Sequence, residues 1–284
     1  MTTYLRADRA VFRFSGADAH KLLNDVVTGH VPAEDGPAAW WALLSPQGKI
    51  LAEGLVGHAE GALWVDVHQS VADDFFKRMK MYRLRAQAVI EDLRESFRVG
   101  YAAEPVLGIA HKDQRGPVDL GWRVIAPLEE TQGWEAEDRP YRMARVEAGV
   151  AELGVDYPAM EAFAHDVGFD LLGGIDFAKG CYVGQEVVSR MKHRGTARRR
   201  PVIVQGVSAE VGAAVVAGGR DAGTIGQPVD GGAVAIVRLD RVTDPGAVSV
   251  AGEPVQVMVP EWAEYVLGET GGEGSEEPSG QAGG

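Results

Sequence analysis

The spacing of apolar and polar residues predicts alternating strands and helices in the first part of the chain. Residues 11–14 alternate as a strand does, and the glycine at position 16 opens a helical pattern that runs to position 27. Three further strands follow at 40–44, 50–57 and 63–67, separated by turn sequences. Because the connections between these three strands are short, we expect them to form a meander.

A second helix and further strands extend this pattern. Phe75, Phe76, Met79 and Tyr82 share one face of a helix, and residues 83–90 alternate as a strand. A comparable series follows from position 97 onward, without a residue-level repeat, with a strand at 122–125 and a helix over 141–149. The pattern therefore predicts an α+β fold with helices packed on an antiparallel sheet.

The pattern changes after Arg200. Short valine-rich runs at 202–204, 213–216, 234–239 and 255–259 alternate with glycines and prolines, which is typical of a small β-barrel or sandwich. The last sixteen residues, from Glu269, are rich in glycine and glutamate and contain no basic residue. Such a segment buries too little apolar surface to order itself, so we expect a disordered tail.

Composition limits the classes of function. A chain of 284 residues with 45% apolar residues can bury a full core, and its single cysteine excludes an intrachain disulfide or an all-cysteine metal cage from this chain alone. A reducing compartment is the natural setting. No apolar run approaches the length of a bilayer span, so we expect a cytoplasmic protein. A net charge of −13 argues against general affinity for nucleic acid.

The most informative segment is the run Lys-Gly-Cys-Tyr-Val-Gly-Gln-Glu at 179–186, which contains that single cysteine. Apolar residues recur every four positions from Val183 to Met191, so we expect a helix here. A thiol at the N-terminal end of a helix, near the Lys179 ammonium, meets N–H groups and positive charge that favour the thiolate. The alternative is a buried cysteine that only packs. The context favours a reactive Cys181 with Lys179 as its partner in catalysis.

Three segments together resemble the YgfZ-type folate-binding proteins, which are relatives of the aminomethyltransferase T-protein of the glycine cleavage system. The run at 179–186 is highly specific for them. The segment 145–149, Arg-Val-Glu-Ala-Gly, resembles their Arg-x-Glu-x-Gly element, and 44–50 resembles their strand–turn–strand element. The similarity in order and spacing covers roughly residues 4–268.

The resemblance implies a fold and a function. The implied fold is a three-lobed, aminomethyltransferase-like ring, with two ferredoxin-like α+β lobes and a C-terminal β-barrel around a channel for non-covalent tetrahydrofolate. We therefore expect a bilobal folate-binding core over 1–200, the barrel over 201–268 and the tail over 269–284. The implied function is support for assembly or repair of iron–sulfur enzymes, including ones that modify tRNA, through the motif cysteine. The implied partners are iron–sulfur clients or cluster-assembly proteins, with no direct nucleic-acid or membrane binding.

The resemblance also points to residues that would bind the folate. Glu147 can accept two parallel N–H bonds, which is the arrangement that a pterin ring presents beside its exocyclic amine. The alternative is a solvated glutamate on a helix. Arg145 lies two positions away and points elsewhere, where it can orient the loop or pair with an acid. Tyr182 and Gln185 of the cysteine motif are expected at the same site.

A basic cluster at 190–200 supplies further candidates, because seven of its eleven residues are Arg, Lys or His. It is either a solvated face or an anion-binding surface for a folate tail or partner RNA. We expect Arg194 and Arg198, which flank the helix end at Gly195, to contact the folate tail or a partner.

The family resemblance has one departure that bears on catalysis. Aminomethyltransferases carry a paired-aspartate element after the strand–turn–strand segment, whereas this chain has Ala52 and Glu53 there. A longer acid misplaces its carboxylate, and a displacement of about 1 Å can cost roughly a hundredfold in rate.

Three hypotheses follow. The first is a tetrahydrofolate-binding accessory factor for iron–sulfur proteins that acts through Cys181. The second is a folate-dependent aminomethyltransferase or demethylase that uses Glu53. The third is a plain scaffold in which the thiol is inert packing. We adopt the first as the working hypothesis and leave open whether the chain is an enzyme.

Overall fold

The structure is a computed structural model that describes residues 2–195 and 197–268, apart from the side chain of Arg194. The tail expected over 269–284 lies outside the described residues. The helices are α1 (Ala19–Asn24), α2 (Ala72–Arg83), α3 (Arg139–Glu147) and α4 (Gln185–Arg194). The strands are β1 (Thr3–Leu5), β2 (Arg9–Ser15), β3 (Ala39–Leu44), β4 (Ile50–Ala59), β5 (Ala62–His68), β6 (Val89–Asp92), β7 (Phe97–Ala102), β8 (Ile109–Arg115), β9 (Val118–Pro127), β10 (Arg199–Gln205), β11 (Ala214–Ala217), β12 (Arg220–Ile225), β13 (Gly232–Arg238), β14 (Val248–Val250), β15 (Glu253–Pro254) and β16 (Gln256–Met258).

The first lobe is a five-stranded antiparallel sheet in the order β3-β4-β5-β2-β6. Along the chain its elements run β2-α1-β3-β4-β5-α2-β6, which is the ferredoxin-like β-α-β-β-α-β order with one strand added. The meander of β3, β4 and β5 was predicted and is confirmed. Phe12 and Trp41, from the sheet, pack with Phe75 of α2 at ring-centroid distances of 5.3 and 5.4 Å.

The prediction of a strand over 83–90 is wrong for 83–88, because strand β6 begins only at Val89. Helix α2 continues to Arg83, and Leu84 then ends it with a positive φ of 40°. The Ala86 N–H donates to the Arg83 carbonyl oxygen at 2.7 Å, which closes a turn. Apolar and polar residues alternate through this turn, and Leu84 is 88% exposed. Alternation alone therefore did not distinguish a turn from a strand.

The second lobe is a four-stranded antiparallel sheet in the order β1-β7-β9-β8, with α3 following it in the chain. The outer position of this sheet is occupied by β1, from the start of the chain. A loop at 103–108 stands where a ferredoxin-like unit has its first helix. This lobe is therefore a reduced version of the first, completed by a strand from the N-terminal end.

The C-terminal lobe is a seven-stranded sheet in the order β15-β14-β11-β12-β13-β10-β16. It forms the predicted, nearly closed β-barrel around a core of valine, alanine and isoleucine. Strands β12 and β14 were missed in the sequence because β12 is mostly polar and contains a glycine, and because β14 is only three residues long. The indole N–H of Trp262 donates to the Ala148 carbonyl oxygen at 2.6 Å and joins this lobe to the end of α3.

The first two lobes approach each other closely. A Cβ at Gly57 of β4 would lie 2.2 Å from the imidazole of His111 on β8, so only glycine fits there. Trp40 of β3 stacks on Phe169 at 3.5 Å between ring centroids, with 23° between the ring planes. These contacts fix the positions of the segments that carry the candidate functional residues.

Candidate functional site

Cys181 lies on an irregular segment, 176–184, that connects the second lobe to α4. The segment is held to the first lobe by backbone contacts. The Asp176 N–H donates to the Thr28 carbonyl oxygen at 2.9 Å, and the Thr28 hydroxyl donates to the Gly174 carbonyl oxygen at 2.7 Å. Within the segment, the carboxylate of Asp176 accepts from the N–H groups of Ala178 and Lys179. We name this segment, 176–184, the cysteine loop.

Lys179 anchors the cysteine loop. Its ammonium donates to the Gly29 carbonyl oxygen at 2.7 Å and lies 5.5 Å from the centre of the Tyr182 ring. Burial lowers the pKa of Lys179 to about 8. Among the described residues its partners belong to the first lobe and to the loop itself, so its geometry favours a positioning role, and the predicted catalytic role stays a prediction.

The cysteine loop packs directly on the strand–turn–strand segment at 44–50. Gly184 has φ of +83°, and a Cβ there would lie 2.8 Å from the Ser45 carbonyl oxygen. Gly48 has φ of +79°, and its Cβ would lie 2.7 Å from Val187 of α4. Two of the three segments that carried the family resemblance are therefore in contact, and their glycines are required by that contact.

The thiol of Cys181 is exposed to solvent. The hypothesis that it is buried packing is therefore wrong. The predicted helix begins at Gln185, after Gly184 in a left-handed conformation, so Cys181 precedes the helix rather than occupying its first turn. The reason is the close approach of Gly184 to Ser45, which breaks the helical pattern at Val183. The sulfur is therefore accessible to solvent, although Cys181 does not lie within α4.

Tyr182 and Gln185, the other candidates from the motif, face different environments. Tyr182 is 8% exposed, and burial raises its pKa to about 12. Gln185 is half-buried, and its side-chain amide donates to the Gly180 carbonyl oxygen at 3.5 Å. Both therefore shape the cysteine loop, and their predicted contact with folate stays a prediction.

The two candidates on α3, Arg145 and Glu147, lie in different environments. Arg145 is 1% exposed, and its guanidinium donates to the Asp156 carboxylate and to the Val150 carbonyl oxygen, 2.7 Å away. Of the roles considered for it, pairing with an acid is confirmed. Its expected place among the folate-binding residues stays a prediction, and the side chain itself is enclosed by protein atoms. Glu147 is exposed at the end of α3.

Glu53 lies in the middle of β4 and is 1% exposed. Its carboxylate accepts from the N–H of Leu153 and from the hydroxyl of Tyr157, the latter at 3.0 Å. Burial raises the pKa of Glu53 to about 7. The side chain thus joins the first lobe to the segment after α3 and is enclosed by protein atoms, and its predicted role in binding folate stays a prediction.

The largest group of charges is buried between the first two lobes. Arg9 donates to the Asp66 carboxylate at 2.8 Å, and Arg123 of the second lobe donates to the other oxygen of the same carboxylate at 2.7 Å. Arg115 binds the Asp113 carboxylate through two bonds of 3.0 Å each. We name the whole set the inter-lobe ion network, and its members are Arg6, Arg9, Asp66, Asp113, Arg115, Arg123, Arg145, Glu152 and Asp156.

Glu152 is at the centre of this network. Burial acts to raise its pKa, but the guanidinium groups of Arg6 and Arg9 outweigh it and hold the pKa of Glu152 far below its usual range. The network was missed in the sequence. One signal was available: Asp66 and Arg123 each interrupt an otherwise apolar strand at 63–67 and 122–125, where a charge on a buried strand requires a partner.

The space between the first two lobes contains one small enclosed cavity. The cavity enclosed by the inter-lobe ion network has a volume of about 20 Å³, which holds about one water molecule. Its lining includes Arg115 and Arg123, each with one buried nitrogen that lacks a hydrogen-bond partner among the described residues. Glu147 does not line this cavity. A more open cleft of about 410 Å³ lies where the three lobes meet, and its lining includes Arg6, Asp138 and Gln227.

Of the basic-cluster candidates, only Arg198 can be described. It is exposed and lines a groove beside α4. The side chain of Arg194 lies outside the described residues. Arg200 of the same cluster binds Asp170 through two bonds of 2.7 and 3.0 Å and is therefore structural.

Comparisons with known proteins agree with this architecture. Residues 197–265 match the family described as "CAF17, C-terminal beta-barrel domain". The crystal structure of glycine cleavage system aminomethyltransferase T from Bartonella henselae superposes with a TM-score of 0.71 and 12% identity, over 94% of this chain and 87% of that one. The chain has the aminomethyltransferase fold.

Sequence relatives point to a different function from that of the aminomethyltransferases. The chain is similar to proteins named "Iron-sulfur cluster assembly factor IBA57 homolog, mitochondrial" from Pyricularia oryzae and Chaetomium globosum, and to the mouse protein of the corresponding name. The identities are 31%, 29% and 26%, over 68%, 95% and 92% of this chain. The aligned parts cover 54%, 78% and 85% of the relatives, so the chain spans about half the length of the first.

The comparisons correct the predicted location. The three relatives are named as mitochondrial, which contradicts the cytoplasmic prediction. That prediction used a single cysteine and the lack of an apolar span, and neither feature distinguishes one reducing compartment from another. Within residues 2–195 and 197–268, no helix combines the length and apolar character that a membrane span requires. The same residues contain no group of three or more His, Cys, Asp or Glu side chains that could hold a metal ion.

Proposed function

We propose that this protein is an accessory factor for the assembly of iron–sulfur proteins and that Cys181 is its reactive group. The observation that carries the proposal is the exposed thiol of Cys181 on an anchored loop. The similarity to iron–sulfur cluster assembly factors over 95% of the chain supports the same role. The fold supplies the frame of an aminomethyltransferase, and the chemistry is assigned to the loop.

A single thiolate can supply one ligand of a cluster. Clusters are held by several cysteine thiolates, so a partner protein must supply the other ligands. On binding, the Cys181 thiol loses its proton and the sulfur forms a bond to iron. An alternative use of the same sulfur is attack on a mixed disulfide of the partner, in which one S–S bond breaks as another forms and a thiolate leaves. Both uses require an exposed sulfur.

The anchoring of the cysteine loop serves this role. Lys179 and Asp176 tie the loop to the first lobe, and Gly184 holds it against the turn at Ser45. A loop that is fixed in this way presents the sulfur to a partner with little loss of conformational entropy.

The test is complementation of cells that lack the native protein. Wild type and Cys181→Ser are expressed at equal levels, and the activity of a cluster-containing client enzyme is measured. We expect the variant to restore none of the client activity, because serine does not replace a thiolate as an iron ligand. Ser208→Ala, at an exposed position of the barrel, is the matched control. Full client activity with Cys181→Ser would overturn the proposal.

The family resemblance also predicts that the protein binds tetrahydrofolate, which is a separate question from the iron–sulfur role. The fold is that of an aminomethyltransferase, but the cavity enclosed by the inter-lobe ion network has room for only about one water molecule. Glu147 is exposed and does not line this cavity, and its contact with folate stays a prediction. The proposed iron–sulfur role needs no folate step.

The transferase alternative is not adopted. It requires a carboxylate at the reacting centre, and Glu53 is enclosed with both oxygens hydrogen-bonded. Purified protein should therefore not convert an aminomethyl or N-methyl donor into methylene-tetrahydrofolate. Turnover that is lost in Glu53→Gln would favour the alternative.

A further inference from the structure

The proposed function assigns no role to a groove that lies beside α4. Its volume is about 380 Å³. Four cationic side chains, three apolar side chains and one acid line it. We name it the basic groove, and its residues are Lys49, Phe163, Asp166, Val187, Met191, Arg198, Arg199 and Arg238.

The cationic side chains of the basic groove differ in how many hydrogen bonds and ion pairs they make with the protein. The side chain of Arg198 is exposed and has no hydrogen bond or ion pair within the described residues, whereas its carbonyl oxygen accepts the Leu239 N–H at 3.0 Å. Arg199 has only a long contact of 3.9 Å to Glu161. Lys49 donates to the Glu161 carbonyl oxygen at 2.8 Å and lies 3.5 Å from the centre of the Phe163 ring, which leaves donors unused. Arg238 is neutralised by Asp240 at 2.7 Å.

The acid of the groove offsets only part of these charges. Asp166 is 5% exposed, and its carboxylate accepts the Phe163 N–H at 3.0 Å. Burial raises the pKa of Asp166 while the charges of Arg199 and Lys49 oppose that rise, so one carboxylate faces several cations. Arg198, Arg199 and Lys49 therefore make a cationic patch on a chain whose net charge is −13. A surface of this sign, concentrated in one groove, selects an anionic ligand.

The apolar side chains that line the groove favour a ligand that carries an apolar group beside its negative charges. Val187 and Met191 lie one turn apart on α4 and face the groove, while Phe163 covers its other side. Such a floor binds an apolar side chain that accompanies the carboxylates. Free phosphate or a nucleic-acid backbone would leave this floor unused.

The position of the groove relates it to Cys181. Helix α4 follows the cysteine loop directly, and its ten residues span about 15 Å. A protein interface of ordinary size covers roughly 800 Å² per partner, which is enough to include both the cysteine loop and the groove. A partner that delivers or receives a cluster at Cys181 can therefore reach both.

We propose that the basic groove binds an acidic peptide segment of the iron–sulfur partner, with its carboxylates on Arg198 and Arg199 and an apolar side chain against Val187 and Met191. The inference rests on the proposed function, because that function requires a partner to approach Cys181. It assigns the recognition of that partner to the basic groove and leaves the chemistry to the thiol.

The test uses the full chain and a fluorescein-labelled peptide, Glu-Asp-Glu-Leu-Phe-Glu-Asp-Glu, followed by fluorescence anisotropy. We expect saturable binding that weakens as salt is added. Arg198→Glu should weaken binding by about tenfold, because a favourable charge contact becomes a repulsive one. Arg220→Glu changes the net charge equally at an exposed position of β12 and should leave binding unchanged. Met191→Gln should also weaken binding, whereas a charge effect alone would leave it unaltered.

Several results would overturn the inference. Equal binding by wild type and Arg198→Glu would place the peptide elsewhere. Binding that appears only when residues 269–284 are removed would assign the groove to the chain's own acidic segment. Displacement of the peptide by tetrahydrofolate would assign the groove to folate, and tighter binding of a single-stranded RNA 8-mer than of the peptide would assign it to nucleic acid.

The two proposals fail separately. Cys181→Ser should bind the peptide as wild type does, since the thiol is not part of the groove. If Cys181→Ser restores client activity while Arg198→Glu still loses the peptide, the groove stands and the proposed function fails. If Cys181→Ser fails to restore client activity while Arg198→Glu binds the peptide as wild type does, the proposed function stands and the proposal for the groove fails.

Discussion

The space between the first two lobes and the cysteine loop differ in how they use polar groups. Between the lobes, nine charged side chains are buried together as ion pairs, and seven of them line a cavity of about 20 Å³. On the cysteine loop, most polar contacts are with the backbone, and the thiol of Cys181 is exposed to solvent. The ion pairs therefore close the space between the first two lobes, whereas the thiol is accessible at the surface.

This difference indicates that stability and reactivity depend on different parts of the molecule. A buried ion pair costs desolvation, so its role is to hold the two lobes in one arrangement rather than to react. The loop costs little stability and can change without disturbing that arrangement. Stability should therefore respond to the network, and function should respond to the loop.

The largest expected effect is on stability, from the inter-lobe ion network. Arg9→Met leaves the Asp66 carboxylate with one fewer partner in a buried position. Breaking a buried pair in this way should lower the free energy of unfolding by about 3–5 kcal/mol, measured by urea denaturation. Iodoacetamide should still label Cys181 at the wild-type rate in the folded variant. A loss below about 1 kcal/mol would remove the network from the account of stability.

The next effect is a pH dependence that arises from Glu53. Its pKa in the folded protein is about 7, above the ordinary value of 4.5, so the folded state holds a proton that the unfolded state releases between these values. The stabilising contribution of that proton is complete below pH 4.5 and is lost as the pH rises through 7. Wild type should lose about 3 kcal/mol relative to Glu53→Gln between pH 4.5 and 8. Parallel stability profiles for the two proteins would contradict this.

A smaller effect is expected from the cysteine loop itself. Gly184→Ala places a Cβ 2.8 Å from the Ser45 carbonyl oxygen at a positive φ, and should lower stability by about 1–2 kcal/mol in thermal denaturation. Gly180→Ala is the matched control, because a Cβ at Gly180 has no heavy atom within 4 Å. Equal melting temperatures for the two variants would show that the loop is not held at Gly184.

The smallest expected effect concerns folate. Isothermal titration with tetrahydrofolate should give no difference between wild type and Glu147→Gln, because Glu147 lines neither the enclosed cavity nor the open cleft where the three lobes meet. Binding by wild type that is lost in Glu147→Gln would restore the pterin anchor.

Much of the fold could be predicted from the sequence. The strands around Phe12 and Trp41 and the helix around Phe75 follow from local alternation, and their burial confirms it. The position of β1 could not be predicted, because Thr3–Leu5 joins a sheet whose other strands begin at Phe97. Pairing across so many residues leaves no local pattern.

The candidate site was predictable in part. The cysteine motif marked the loop, and its contact with the turn at Ser45 agrees with the family resemblance at 44–50. The sequence did not show that Glu53 and Arg145 are enclosed, because their partners, Tyr157 and Asp156, lie 104 and 11 residues away and carry no shared spacing. Chemistry that depends on one exposed residue was easier to predict than a cavity formed by three lobes.

The most direct test of the central claim is whether Cys181 holds iron together with a partner. Cells are grown with radioactive iron, and tagged wild type, Cys181→Ser and Ser208→Ala are isolated without oxygen and counted. The account predicts that iron and a co-purifying protein remain with wild type and Ser208→Ala, and that Cys181→Ser retains no iron. Equal iron on all three proteins would contradict the assignment of the function to this sulfur.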